Sequence, residues 1–123
     1  MLTIEALERE VRRLAETNPD AEYQAYAPKG EDFASCWYTK GSANGQCGCL
    51  IGQAIQVLDP QTYKRIADYE EGQNASLDVS ELNPKLVGFP EASEWLRFVQ
   101  YAQDDGHKWL DCIKWADDVL YGS

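Results

Sequence analysis

The stretch "NGQCGCLIGQAI", residues 44 to 55, decides how this chain is built. It opens with Asn44-Gly45, a strong hairpin signal, because tight hairpin turns need residues that tolerate positive φ. Two cysteines then flank a glycine. The apolar residues that follow recur with helical period: Leu50 and Ile51, Ala54 and Ile55, then Leu58. The stretch therefore predicts a turn, a return strand through Gln46 and Cys47, and a packed helix from Cys49 to Leu58. Gly48 and Gly52 would let that helix come close to a neighbour or to the sheet.

Upstream, "FASCWYT" (33–39) alternates like a strand, with Phe33, Ser35, Trp37 and Thr39 on one side and Ala34, Cys36 and Tyr38 on the other. It supplies the outgoing arm of the predicted hairpin, with residues 40–45 as the connecting loop. "AEYQAYA" (21–27) is a second short strand, against the low strand propensity of its alanines. At the start, Ile4, Leu7, Val11 and Leu14 recur at helical spacing, Thr3 can cap, and Asn18-Pro19 ends the helix.

Downstream, Asp59-Pro60 closes one helix and starts another, because aspartate suits the N-cap and proline the first helical position. That helix is predicted over 60–69, with Tyr63, Ile66 and Ala67 inward. Residues 70–89 are predicted as loops with one helical turn near Ser80 to Leu82. Two helices follow. Trp95, Phe98, Val99 and Ala102 form the stripe of the first, which starts at Glu91; Gly106 breaks the chain; Trp109, Leu110, Ile113, Ala116 and Leu120 continue from His107. No repeat or linker interrupts the sequence. The expected fold is a single α+β domain over residues 1–123. It is helix-dominated, with a small antiparallel β-hairpin sheet and a C-terminal helical hairpin.

Eleven Lys and Arg against 21 Asp and Glu leave a net charge of -10. That balance argues against nucleic acid and against anionic membrane surfaces, both of which are held through basic side chains. It allows a basic partner. The charged, helical N-terminus has no signal-peptide core, so the chain is expected to be cytoplasmic with reduced thiols.

The four cysteines admit three chemistries. Cys36, Cys47, Cys49 and either Cys112 or His107 make a ligand set for zinc, but structural zinc sites favour two close pairs and only Cys47/Cys49 is close. Cys47 or Cys49 at a helix N-terminus would be an activated thiol. A cysteine opening a helix before an apolar run resembles the cell-wall cysteine peptidases. Those enzymes need a histidine on a following strand, whereas His107, the single histidine, lies in a helical region. Cys36 facing Cys47 across the hairpin would be a disulfide pair, disfavoured in a reducing compartment. The expectation adopted is that the thiols are small buried hydrophobes, with no metal, cofactor or catalytic role.

Asp104, Asp105, Asp111, Asp117 and Asp118 surround the last helix, and Asp111 and Asp118 share one face. Paired carboxylates can hold a hard cation, but no Asp-x-Asp-x-Asp-Gly loop is present, and neither is a P-loop, GxGxxG or HExxH motif. A charge run of this kind is usually a solvated face.

The order of "RRLAETNPDAEY", Cys36 with Tyr38, "CLIGQAI" (49–55) and "QDDGHKW" (103–109) resembles a group of small uncharacterised proteins from actinobacteria and their phages. Cys112-Ile113 departs from the pattern, which has a small residue there. The resemblance implies phage or prophage origin and no activity. The expectation is a non-enzymatic binder of a host or phage protein, with Trp37, Asp104, Asp105, Trp109, Asp117 and Asp118 as candidate contact residues. The alternatives are a cysteine- or zinc-dependent protein built on Cys47 and Cys49, and an acidic DNA mimic.

Overall fold

The structure, a computed structural model, describes residues 3–24, 38–43, 45–73 and 93–122. In chain order these hold α1 (Ile4–Thr17), β1 (Ser42–Ala43), β2 (Gln46–Cys47), α2 (Leu50–Leu58), α3 (Pro60–Gln73), α4 (Glu94–Asp104) and α5 (Trp109–Tyr121). The fold is α+β and helix-dominated, as expected.

At the centre lies α2. Leu50 to Ile55 are all buried, so its first half presents no polar face to solvent. A helix apolar all round needs neighbours on several sides, and α1, α3 and α4 supply them. Against it α1 lays Leu7, Val11 and Ala15, each fully buried. Thr3 caps α1 by accepting from the Ala6 N–H at 3.1 Å, and Asn18 closes it by donating twice to the Leu14 carbonyl.

Two side chains hold the start of α2, one from far along the sequence and one from the residue just before the helix. Gln103, 2 % exposed, accepts the Leu50 N–H at 2.8 Å, and the Cys49 sulfur accepts the Gly52 N–H at 3.4 Å. Gln53 donates to the carbonyls of Ala43 and Gly48, which ties the hairpin to the helix.

The predicted hairpin forms, with Gly45 at φ +73° and Ser42 paired to Cys47. Its outgoing arm is a correction. The strand that pairs is Ser42–Ala43, inside the predicted loop, and Gln24 bridges to Ser42 on the other side. The predicted strand 33–39 lies outside the described residues up to 37; Tyr38 and Thr39 form a bend. That bend crosses α2 at Gly52. A Cβ on Gly52 would stand 1.8 Å from the Tyr38 carbonyl oxygen, and one on Gly48 (φ +94°) 2.3 Å from the same atom. The close approach expected of these glycines is therefore made to the Tyr38–Thr39 backbone.

Asp59 takes the predicted N-terminal role for α3 by accepting from the Thr62 N–H and hydroxyl. The helix then runs past Tyr69 to Gln73, where loop was predicted. Tertiary contact explains the extension. Glu70, fully buried, accepts from the Tyr38 N–H at 3.0 Å, the Thr39 N–H at 3.1 Å and the Thr39 hydroxyl at 2.6 Å. The rest of the predicted irregular region, from residue 74, lies outside the described residues.

The expected helical hairpin is formed by α4 and α5. The start of α4 meets the end of α5 where the Trp95 indole N–H donates to Asp117 at 2.9 Å. One turn further in, Phe98 and Trp115 meet edge to face at 5.4 Å. The predicted start of this helix at Glu91 lies outside the described residues; α4 runs from Glu94, and Ser93 caps it by accepting from the Leu96 N–H. The break between the helices spans residues 105–108 rather than Gly106 alone, with α5 starting at Trp109. There the Trp109 and Leu110 N–H groups donate to the carbonyls of Ala21 and Pro19, so the segment after α1 caps α5 without a side chain.

Candidate functional site

Among the described residues, the cysteines join no metal-holding group. Cys49 is fully buried and spends its sulfur on capping α2. Cys112 is fully buried in α5, its thiol directed at the His107 carbonyl oxygen at 3.6 Å. Burial, reinforced by the charge of Asp111, pushes that thiol up to about 12, so it stays protonated and inert at neutral pH. Both match the expectation of small buried hydrophobes. Cys47 corrects it, being exposed on β2 opposite Ser42. Cys36 lies outside the described residues.

His107 is exposed on the α4–α5 connection, its Nε2 3.6 Å from an Asp105 carboxylate oxygen. Among the described residues, no three His, Cys, Asp or Glu side chains come together as a metal-holding group.

The acidic residues around α5 separate into three environments. Asp117 is half-buried and engaged: Arg12 donates to both its oxygens at 2.9 and 3.0 Å, and Trp95 donates at 2.9 Å. Those hydrogen bonds, Arg12 first, hold its carboxyl below the usual carboxylate range. It is a structural clamp between α1, α4 and α5, not a free contact residue. Asp118 is exposed on α5. Asp104 and Asp105, also exposed, face a cleft together with Asp111.

That cleft is a concave feature of the described surface. It has a volume of about 860 Å³ and runs along the outer face of α4 and α5 beside Tyr38. This is the size range of small-ligand and peptide-anchor pockets, roughly 300–1,000 Å³. Tyr101 and Trp115 contribute rings that are 69 % and 43 % exposed. Asp104, Asp105 and Asp111 contribute carboxylates, while Arg97, Gln100 and His107 complete the polar lining.

Trp109, a candidate contact residue by sequence, is 0 % exposed and lies in the core. This is a correction, and its cause is visible in the helix itself. Trp109, Cys112, Ile113 and Ala116 form the buried stripe of α5, whereas Trp115 falls between stripe positions and faces out. The Trp109 indole N–H meets no acceptor among the described residues. Trp37 lies outside the described residues.

Sequence reasoning did not single out Tyr101 and Trp115. The signal was present in the periodicity: both aromatics stand off the apolar stripes of their helices, and Trp115 stands four residues after Asp111, on the same face. Comparison with protein-family models, curated proteins and solved structures found no match.

Proposed function

We propose that this chain is a non-enzymatic protein that binds another protein, of the phage or of its host, through the outer face of α4 and α5. The observation that carries the reading is the cleft in which exposed Tyr101 and Trp115 stand among Asp104, Asp105 and Asp111. Exposed aromatics in a concavity are the side chains that carry most of the energy at protein interfaces. Carboxylates around them select a basic partner and speed encounter with it. The chain's net charge of -10 favours the same class of partner.

Against the cysteine-dependent alternative, exposed Cys47 joins no metal-holding group among the described residues. Cys49 is sealed in the core, and the imidazole of His107 is directed at Asp105. The DNA-mimic reading would require a row of free carboxylates, and Asp117 is already neutralised by Arg12.

The test is affinity capture from an actinobacterial lysate with the wild-type chain and with the Tyr101→Ala/Trp115→Ala double variant in parallel. The expected result is a basic protein held by the wild type, released by salt, and absent from the variant. A partner captured equally by both would remove the α4–α5 face from the reading. Nothing captured by either would count against the binding function itself.

A further inference from the structure

We propose that the α4–α5 cleft recognises the guanidinium group of an arginine side chain presented by a basic peptide segment. This deepens the binding reading above and rests on it.

The argument begins with a constellation the chain builds inside itself. The Arg12 guanidinium lies over the Trp95 ring, 4.8 Å from its centroid, while two of its nitrogens donate to the two oxygens of Asp117. A position over an indole ring and forked donation to a carboxylate are compatible in one guanidinium because its charge is delocalised in a plane and its N–H groups lie in that plane. A lysine ammonium can approach the ring or the carboxylate but has no plane to stack and no fork to donate.

The cleft places the same two side-chain types, an indole and a carboxylate, on one wall. Asp111 and Trp115 lie at i and i+4 on α5, both on the cleft wall. Trp115 is fixed by its edge-to-face contact with Phe98 yet remains 43 % exposed. Asp111 is exposed, and no ion pair engages it among the described residues. Tyr101, 69 % exposed, supplies a second ring. The wall's own cation, Arg97, is directed over the Phe98 ring at 5.9 Å. Charge complementarity thus commits the cleft to a cation, and the indole beside a carboxylate commits it to a planar one.

The test uses the full-length chain and two short peptides of equal length and charge, one alternating arginine with glycine and one alternating lysine with glycine. Binding is followed by calorimetry and by the indole N–H resonance of Trp115. The arginine peptide is expected to bind about fivefold more tightly than the lysine peptide, the ratio that a cation–π contribution near 1 kcal/mol produces. Asp111→Asn and Trp115→Ala should each abolish that preference, and Trp115→Phe should keep part of it. Asp68→Asn, an exposed charge removed from α3, should change neither affinity beyond a small salt-like effect. Far-UV circular dichroism confirms that each variant is folded.

Equal affinity for the two peptides, or equal losses from Asp111→Asn and Asp68→Asn, would overturn the inference and reduce the cleft to an unspecific acidic surface. Binding of neither peptide would overturn it too. In both cases a captured partner that still depends on Tyr101 and Trp115 would leave the binding reading standing. A captured partner indifferent to those rings would fail that reading separately.

Discussion

Glu70 is the residue whose behaviour departs furthest from its type. Glutamate is almost never fully buried without partners, and here both carboxylate oxygens accept hydrogen bonds from the Tyr38–Thr39 bend. Two of the three donors are backbone N–H groups of a segment in neither helix nor strand. Left unsatisfied in the interior, each would cost about 1–3 kcal/mol. Glu70 thus does for an irregular segment what a neighbouring strand does for a sheet edge. Glu70→Gln is nearly isosteric but turns an NH2 group toward at least one of these donors. We expect it to lower stability by about 2 kcal/mol, measured by urea denaturation. An unchanged midpoint would mean that the bend is held by other contacts. Nothing in the local sequence marks this residue, since it follows "ADY" and precedes a second glutamate.

At the scale of elements, the contact between α2 and the bend turns on the absence of a side chain. Gly52 lies within a helix, where alanine is ordinarily the better residue by up to about 1 kcal/mol. Here the sign reverses, because a Cβ would stand 1.8 Å from the Tyr38 carbonyl oxygen, a backbone atom tied in place through Glu70. Gly52→Ala should therefore destabilise the protein by about 2 kcal/mol or more, as overpacking does. Gly72, in the last turn of α3, is the internal control, since a Cβ there meets nothing within 4 Å. Gly72→Ala should raise stability by about 0.5 kcal/mol. Thermal unfolding of the two variants should move in opposite directions. A shift of the same sign in both would mean that α2 does not approach the bend as described. The approach is legible in sequence only as permission: glycine allows it, and the partner comes from elsewhere. The α5 pattern was more informative, because its stripe distinguishes buried Trp109 from exposed Trp115.

At the scale of the whole molecule, the charge of -10 and the Asp117 clamp give opposite responses to acid. Protonating surface carboxylates relieves repulsion as pH falls from neutrality. Asp117 works the other way, because Arg12 and Trp95 hold its carboxyl below the ordinary range. A carboxyl depressed in the folded state contributes its stability fully above the unfolded value, near about pH 4. That contribution is lost as pH falls through the folded value. The difference in melting temperature between the wild type and Asp117→Asn should be constant from pH 7 to about pH 5 and shrink below about pH 4. A difference that does not change with pH would show that the clamp acts through packing, not charge. Local physics wrote much of this molecule into its sequence: the apolar period of each helix, the hairpin turn at Gly45, the caps at Thr3 and Asp59, and the acidic balance. Each of these depends on residues a few positions apart, so a short window contains its cause. Other features were decided only by folding: that Ser42–Ala43 pairs in the hairpin, that α3 extends to bury Glu70, that Gln103 caps α2, and that Tyr101, Asp111 and Trp115 share one cleft. In each the partner is distant along the chain, and a side chain's worth there is set by what packs against it rather than by its neighbours in sequence.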